Sequence, residues 1–135
     1  MHRFVSRMRL AVCGIALAGT GVPLAGEIQT ITGTVVDLSC YAVNKADRGM
    51  HHLTQGGATP PNVGLECAYS CVRWQGMPAG LLTDDGKVFQ IEGGLRENSN
   101  AKIAPHLTHR VSITGNVTDV DGVLLLESDD VKMVP

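Results

Sequence analysis

Three of the four cysteines have a spacing that suits a shared chemical site. Cys67 and Cys71 stand four residues apart in LECAYSC, and Cys40 precedes them in DLSCY. Helical residues four apart hold their Cβ atoms about 5–6 Å from each other, whereas a disulfide requires roughly 3.5–4.5 Å. Two thiolates on one zinc ion lie about 3.8 Å apart, which side chains on one helical face can reach. The spacing therefore favours chelation over a local Cys67–Cys71 disulfide.

The polar segment between Cys40 and Cys67 offers further ligands. His51 and His52 are adjacent there, and imidazole suits both zinc and copper. The residues predict a metal site for a copper or zinc ion in which Cys40, Cys67 and Cys71 are ligands and His52 or His51 is a fourth. A carrier or accessory protein is the function that such a site favours.

Two other interpretations of the same thiols stay open. In the first, Cys40 pairs with Cys67 or Cys71 in a disulfide, which would stabilise the fold by about 2–4 kcal/mol. The protein would then be a protein-binding or assembly module without metal. Alternatively, one thiol is a redox group, in which case a cysteine of lowered pKa is expected. No Ser/His/Asp or paired-carboxylate arrangement is recognisable, so the sequence favours a binding protein over an enzyme.

The first residues have the pattern of a secretory signal peptide. Arg3, Arg7 and Arg9 precede an apolar run that ends in small residues, which predicts a signal over residues 1–26 and a single small domain over 27–135. The run is shorter than the roughly 20 residues of a membrane span and is interrupted by glycines and Pro23. We expect a periplasmic or secreted protein with no stable membrane anchor after cleavage.

The charge of the expected mature domain restricts its partners. The chain has 11 Lys+Arg and 13 Asp+Glu, and the signal contains three of the arginines and none of the acids, so residues 27–135 are clearly acidic. Nucleic-acid binding requires a basic surface and is not expected. Another periplasmic protein is the partner class that remains.

Short β-strands surround these cysteines. A strand is expected within 27–41 with a bulge or bend at Gly33, followed by a long polar loop and a helix over 62–76 that Gly76 ends. Asp-Gly pairs predict hairpin turns. The further expected elements are strands 80–83 and 87–91, a turn or two of helix ending before Pro105, strands 110–117 and 123–126, and an extended piece at 131–134.

This order predicts a mainly β fold, a small five-stranded OB-like barrel with a short cysteine-bearing helix after the first strand. A β-sandwich is the alternative. An OB barrel usually places its helix between the third and fourth strands, which is where this chain departs from the pattern.

The stretches GTVVDLSCY, ECAYSC, GLLTDDGKVFQI and RVSITGNVTDVDGV resemble a group of small exported bacterial proteins of uncharacterised function. These share a G-x-V-V-D-x-x-C-Y opening, a C-A-x-x-C helix, a D-G-K hairpin and a V-x-V-T-G-x-V strand. The resemblance covers most of residues 33–134. It implies an OB-like β-barrel and places the three cysteines in one site, and it implies no particular activity.

Overall fold

The computed structural model describes residues 26–43, 45 and 68–135. All of the predicted strands are present among them, but the first ends at Asp37 and does not continue to residue 41, so Cys40 lies in a short helix and not in the strand. In chain order the elements are β1 (Glu27–Asp37), α1 (Leu38–Val43), a π-helical turn (Ser70–Trp74), β2 (Ala79–Leu82), β3 (Val88–Glu92), a 3₁₀ turn (Gly93–Leu95), α2 (Glu97–Asn100), a second 3₁₀ turn (Ala104–His106), β4 (Arg110–Val120), β5 (Val123–Glu127) and β6 (Lys132–Met133).

Five of these strands close into a barrel. Their order is β1-β2-β3-β5-β4, and β4 pairs with β1 to complete the ring. The neighbours are antiparallel except β3 and β5, which run parallel, and β6 pairs with the start of β4. The predicted five-stranded OB-like barrel with a short helix after its first strand is confirmed.

The long first strand closes the barrel because it pairs with two neighbours. Residues 27–34 of β1 pair with β4, and residues 34–37 pair with β2. Gly33 stands where the partner changes, and a Cβ at this position would lie 2.5 Å from the carbonyl oxygen of Leu82. Only glycine permits so close a backbone approach. The bend predicted at Gly33 thus coincides with the point at which β1 leaves β4 for β2.

The barrel interior is filled by alternate strand residues and by the connection between β3 and β4. In β3, Phe89 and Ile91 are buried while the residues beside them are half-buried, the period of two that one covered face produces. The connection contributes Leu95, Ile103 and Leu107 to the same core. It therefore covers apolar barrel residues, although its helical pieces are very short.

Pro105 differs from its predicted place after the end of a helix. It lies within the 3₁₀ turn Ala104–His106, at one of the first positions, where the missing N–H of proline removes no hydrogen bond from the turn. The proline thus lies at the beginning of a helical turn, whereas the sequence predicted that it follows the end of one. None of the helices in the described parts of the chain has the length and apolar character to span a membrane.

Candidate metal centre

The end of β1 and the start of β2 bring two distant chain segments together. Asp37, the last residue of β1, is the register partner of Ala79 at the start of β2. The backbone N–H of Leu38 donates to the carbonyl oxygen of Pro78 at 3.1 Å. The end of β1 and the start of β2 therefore lie side by side, and α1 and the π-helical turn adjoin these two strand ends.

Asp37 caps the N-terminus of α1. Its Oδ1 accepts hydrogen bonds from the backbone N–H of Ser39 at 3.0 Å and from the Ser39 hydroxyl at 2.5 Å, as an N-cap carboxylate does. Its Oδ2 accepts a hydrogen bond from the thiol of Cys40 at 3.0 Å. The two carboxyl oxygens have different partners, which fixes the orientation of the side chain.

Apolar packing on the outside of the barrel holds α1 in place. Tyr41 is buried in a small cluster with Val36 and Leu82, and Leu38 packs against it. A Cβ on Gly80 would overlap the Leu38 side chain, so glycine in β2 leaves the space that α1 occupies. The position of Cys40 is consequently set by the packing of the helix on the sheet.

Cys71 lies in a π-helical turn. The N–H of Gln75 donates to the carbonyl of Ser70, five residues earlier, at 3.1 Å, and the carbonyl of Cys71 accepts from the N–H of Met77 at 3.0 Å. Single turns of this wide kind are frequent at functional sites. In the described part of the predicted 62–76 helix, residues 68–69 are α-helical and residues 70–74 form the wider π-helical turn, and Gly76 follows it with a φ of 69°.

A buried asparagine supports the turn that carries Cys71. Asn100 is 1% exposed, and its Nδ2 donates to the carbonyl oxygens of Val72 at 2.8 Å and Met77 at 3.1 Å. Like the two residues before it, Asn100 has a positive φ. The Arg73 guanidinium donates to the carbonyl of Asn98 at 3.0 Å. The connection between β3 and β4 thus holds the π-helical turn through both side-chain and backbone groups.

Asp37, Cys40 and Cys71 form a compact group of metal-ligating side chains. One carboxylate oxygen and the two Sγ atoms all lie within 4.8 Å of one another. With Zn–S near 2.3 Å and Zn–O near 2.1 Å, a tetrahedral ion needs these atoms about 3.6–3.8 Å apart. Small side-chain rotations would produce that spacing. Thiolate and carboxylate donors also suit the ion chemically, so the residues present fit a zinc ion, and the thiolates fit a copper ion.

The burial of Asp37 is unusual for a carboxyl group. Asp37 is 0% exposed, whereas the two thiols are partly exposed. In the described parts of the chain no ion pair includes Asp37; the paired basic side chains contact Asp84, Asp85 and Glu92. A carboxylate removed from water requires donors or a cation as compensation. Ser39 and Cys40 supply donors, and a bound metal ion would supply the opposite charge.

The structure brings together two of the five predicted ligands. Cys40 and Cys71 belong to the group, and they are not joined to each other in a disulfide. Cys67, His51 and His52 lie outside the described residues, so their part in the site stays a prediction.

The sequence reasoning missed Asp37. A signal for it was available, because the stretch VVDLSC places an acid three residues before Cys40. The end of a strand followed by a helix start is where an acidic cap is expected. A residue three positions after the cap lies on the same helical turn, so the cap side chain can contact it.

Comparison with known proteins returned no match: no family model, no curated protein and no solved structure is significantly similar to this chain. The function is therefore inferred from the site itself.

Proposed function

We propose that this protein binds one transition-metal ion, zinc or copper, at the Asp37–Cys40–Cys71 group, with Cys67, His52 or His51 supplying the fourth ligand. The single observation that carries the proposal is the convergence of two thiols and a buried carboxylate within 4.8 Å. The three side chains come from different elements, which the β1–β2 register holds together.

The proposed role is that of a carrier or accessory protein. Cys40 and Cys71 are only partly buried, so an ion held there remains accessible to a second protein that delivers or receives it. The predicted signal over residues 1–26 supports export, and the acidic domain supports a protein partner over nucleic acid. The bound ion would supply charge and ligand exchange, and the protein would supply its position at the edge of the barrel.

Metal content tests the proposal directly. Protein purified from the periplasm of an expressing bacterium is expected to contain about one equivalent of zinc or copper by elemental analysis, and Cys40→Ser and Cys71→Ser are each expected to lose it. Ser70→Ala is the matched control, because it changes the neighbour of Cys71 without removing a proposed ligand. Wild-type protein that contains no metal, and that takes up none when zinc or reduced copper is added, would contradict the proposal.

A second candidate function follows from the same proximity. Two Sγ atoms within 4.8 Å need only a modest movement to reach the 2.05 Å of a disulfide, which would make the protein a stapled binding module or a thiol redox protein. Intact mass without reductant separates these functions from the metal carrier. A mass two units below that of the reduced chain, in protein without metal, favours the disulfide. The fully reduced mass, in protein with metal, favours the carrier.

A further inference from the structure

We infer that Asp37 is itself a ligand through Oδ2 and that this carboxylate makes the centre selective for zinc(II) over copper(I). The inference depends on the proposed metal site and specifies which ion that site takes.

The hydrogen bonds of Asp37 show that capping accounts for only one of its two oxygens. Oδ1 accepts both donors of Ser39, and Oδ2 faces Cys40 at 3.0 Å. Serine, threonine and asparagine cap helices about as well as aspartate, so capping by itself does not require a second anionic oxygen. Ligating carboxylates, in contrast, commonly have the non-ligating oxygen held by hydrogen bonds. Asp37 already has this arrangement.

The donor set distinguishes the two ions by softness. Copper(I) prefers thiolate and thioether sulfur, while zinc accepts thiolate, imidazole and carboxylate together. A carboxylate oxygen within 4.8 Å of both sulfurs adds a ligand that zinc uses and copper(I) does not favour. The Asp37–Cys40–Cys71 group therefore resembles a mixed sulfur and oxygen zinc site more than an all-sulfur copper site.

The charge balance at this buried position also favours zinc(II). Two thiolates and one carboxylate carry three negative charges, which zinc(II) reduces to one and copper(I) reduces only to two. A third thiolate from Cys67 would add one negative charge in both cases and leave the order unchanged. Since Asp37 is 0% exposed, residual charge there is poorly solvated. The divalent ion compensates the site better.

Paired metal titrations of the wild type and Asp37→Asn test the selectivity. Asn keeps a carbonyl oxygen for the Ser39 hydrogen bonds and replaces the second anionic oxygen. Zinc affinity, measured by competition with a chromophoric chelator, is expected to fall at least about tenfold, the scale of weakened metal ligation. Copper(I) affinity, measured anaerobically with a copper(I) chelator, is expected to stay within about threefold. Asp119→Asn is the matched control, because it removes the same charge near the end of β4, outside the ligand group, and keeps a carbonyl oxygen for the Gly122 N–H.

The outcomes separate this inference from the proposed site. If the wild type binds neither ion, the metal site itself is wrong. If it binds metal but Asp37→Asn leaves zinc affinity unchanged, or weakens both ions equally, the site stands and the role of Asp37 is wrong. X-ray absorption of the zinc-loaded wild type needs no variant and covers the case in which Asp37→Asn fails to fold. A first shell of sulfur alone, or of sulfur and imidazole nitrogen alone, overturns the inference. An oxygen scatterer near 2.0–2.1 Å beside sulfur near 2.3 Å, distinguished from imidazole by the absence of outer ring scattering, supports it.

Discussion

Replacing Asn100 should destabilise the protein more than a typical surface substitution. The structure allows the loss of stability to be divided between lost hydrogen bonds and backbone strain. Its Nδ2 donates to the carbonyls of Val72 and Met77. Removing a partner from a buried polar group costs about 1–3 kcal/mol, and the bond to Val72 is buried while the bond to Met77 is partly buried. Asn100→Ala also removes the buried Oδ1, which has no hydrogen-bond partner in the described parts of the chain, so the net loss from side-chain hydrogen bonding should be about 1–2 kcal/mol. Asn100 also has a φ of 59°, which costs most non-glycine residues about 1–2 kcal/mol. The expected total for Asn100→Ala is about 2–4 kcal/mol.

Two further variants separate these contributions. Asn100→Gly removes the amide but tolerates the left-handed backbone, so it should be about 1 kcal/mol less destabilising than the alanine variant. Asn100→Asp keeps the shape and places an acceptor against the two carbonyl oxygens, so at neutral pH it should be at least as destabilising as alanine. Asn98→Ala is a control that shares the positive φ of 51° and leaves the Asn100 hydrogen bonds intact.

Urea unfolding measured with two probes is the appropriate assay. Far-UV circular dichroism reports the barrel. The fluorescence of Trp74, the only tryptophan, reports the π-helical turn through the loss of its contacts with Tyr69 and Arg73, since the ring itself is exposed. A loss of about 3 kcal/mol with a slope of 1–3 kcal/mol per molar urea lowers the midpoint by about 1–3 M. If Asn100→Asp unfolds at the wild-type midpoint, the amide does not donate to the two carbonyls and its role in supporting the Cys71 turn is wrong.

Two smaller predictions concern the barrel. Gly33→Ala should cost about 1–3 kcal/mol, because its Cβ would lie 2.5 Å from the Leu82 carbonyl oxygen; an unchanged urea midpoint would contradict this close approach. For Glu92, burial raises the pKa, but hydrogen bonds from Arg96 and Gln90 and the Arg96 charge outweigh it, so the pKa lies below its ordinary value of 4.5. The pair therefore stabilises the fold above that pH and loses its effect as pH falls through the lowered folded pKa. Glu92→Gln should cost about 0.2–1 kcal/mol at pH 7 and progressively less in acid, and a urea-midpoint difference that is constant with pH would contradict the assignment.

The fold was predictable because strand patterns and turn residues are local signals. Alternating apolar residues and the Asp-Gly pairs identify the strands and hairpins, and Gly33 marks the bend of β1. The parallel pairing of β3 with β5 depends on closure of the whole barrel, which a local signal does not contain. The left-handed residues before and at Asn100 were also not predictable in detail. Asparagine tolerates positive φ, but three successive residues in this region depend on contacts from elsewhere in the fold. Asn100 is buried against the turn that carries Cys71, and the carbonyls of Asn98 and Ser99 accept hydrogen bonds from Arg73.

The candidate site was predictable in part for a similar reason. Cysteine is rare enough that Cys40 and Cys71 stand out by type, and the β1–β2 pairing then brings them close. Asp37 does not stand out by type, because an acid at a helix start is usually only a cap. Its importance depends on complete burial and on the direction of Oδ2, which are tertiary properties.

The position of the site suggests why metal binding and folding would be coupled in this protein. The α-helix and the π-helical turn that carry Cys40 and Cys71 have six and five residues, lengths at which an isolated helix is unstable in water. Each depends on the barrel, α1 through Tyr41 and the turn through Asn100. An ion at this edge would add a cross-link between elements that the barrel already holds, and ligand at 100 times its dissociation constant stabilises a fold by about 2.7 kcal/mol. The barrel would then supply the geometry for the ion, and the ion would in turn stabilise the place where β1 ends and β2 begins.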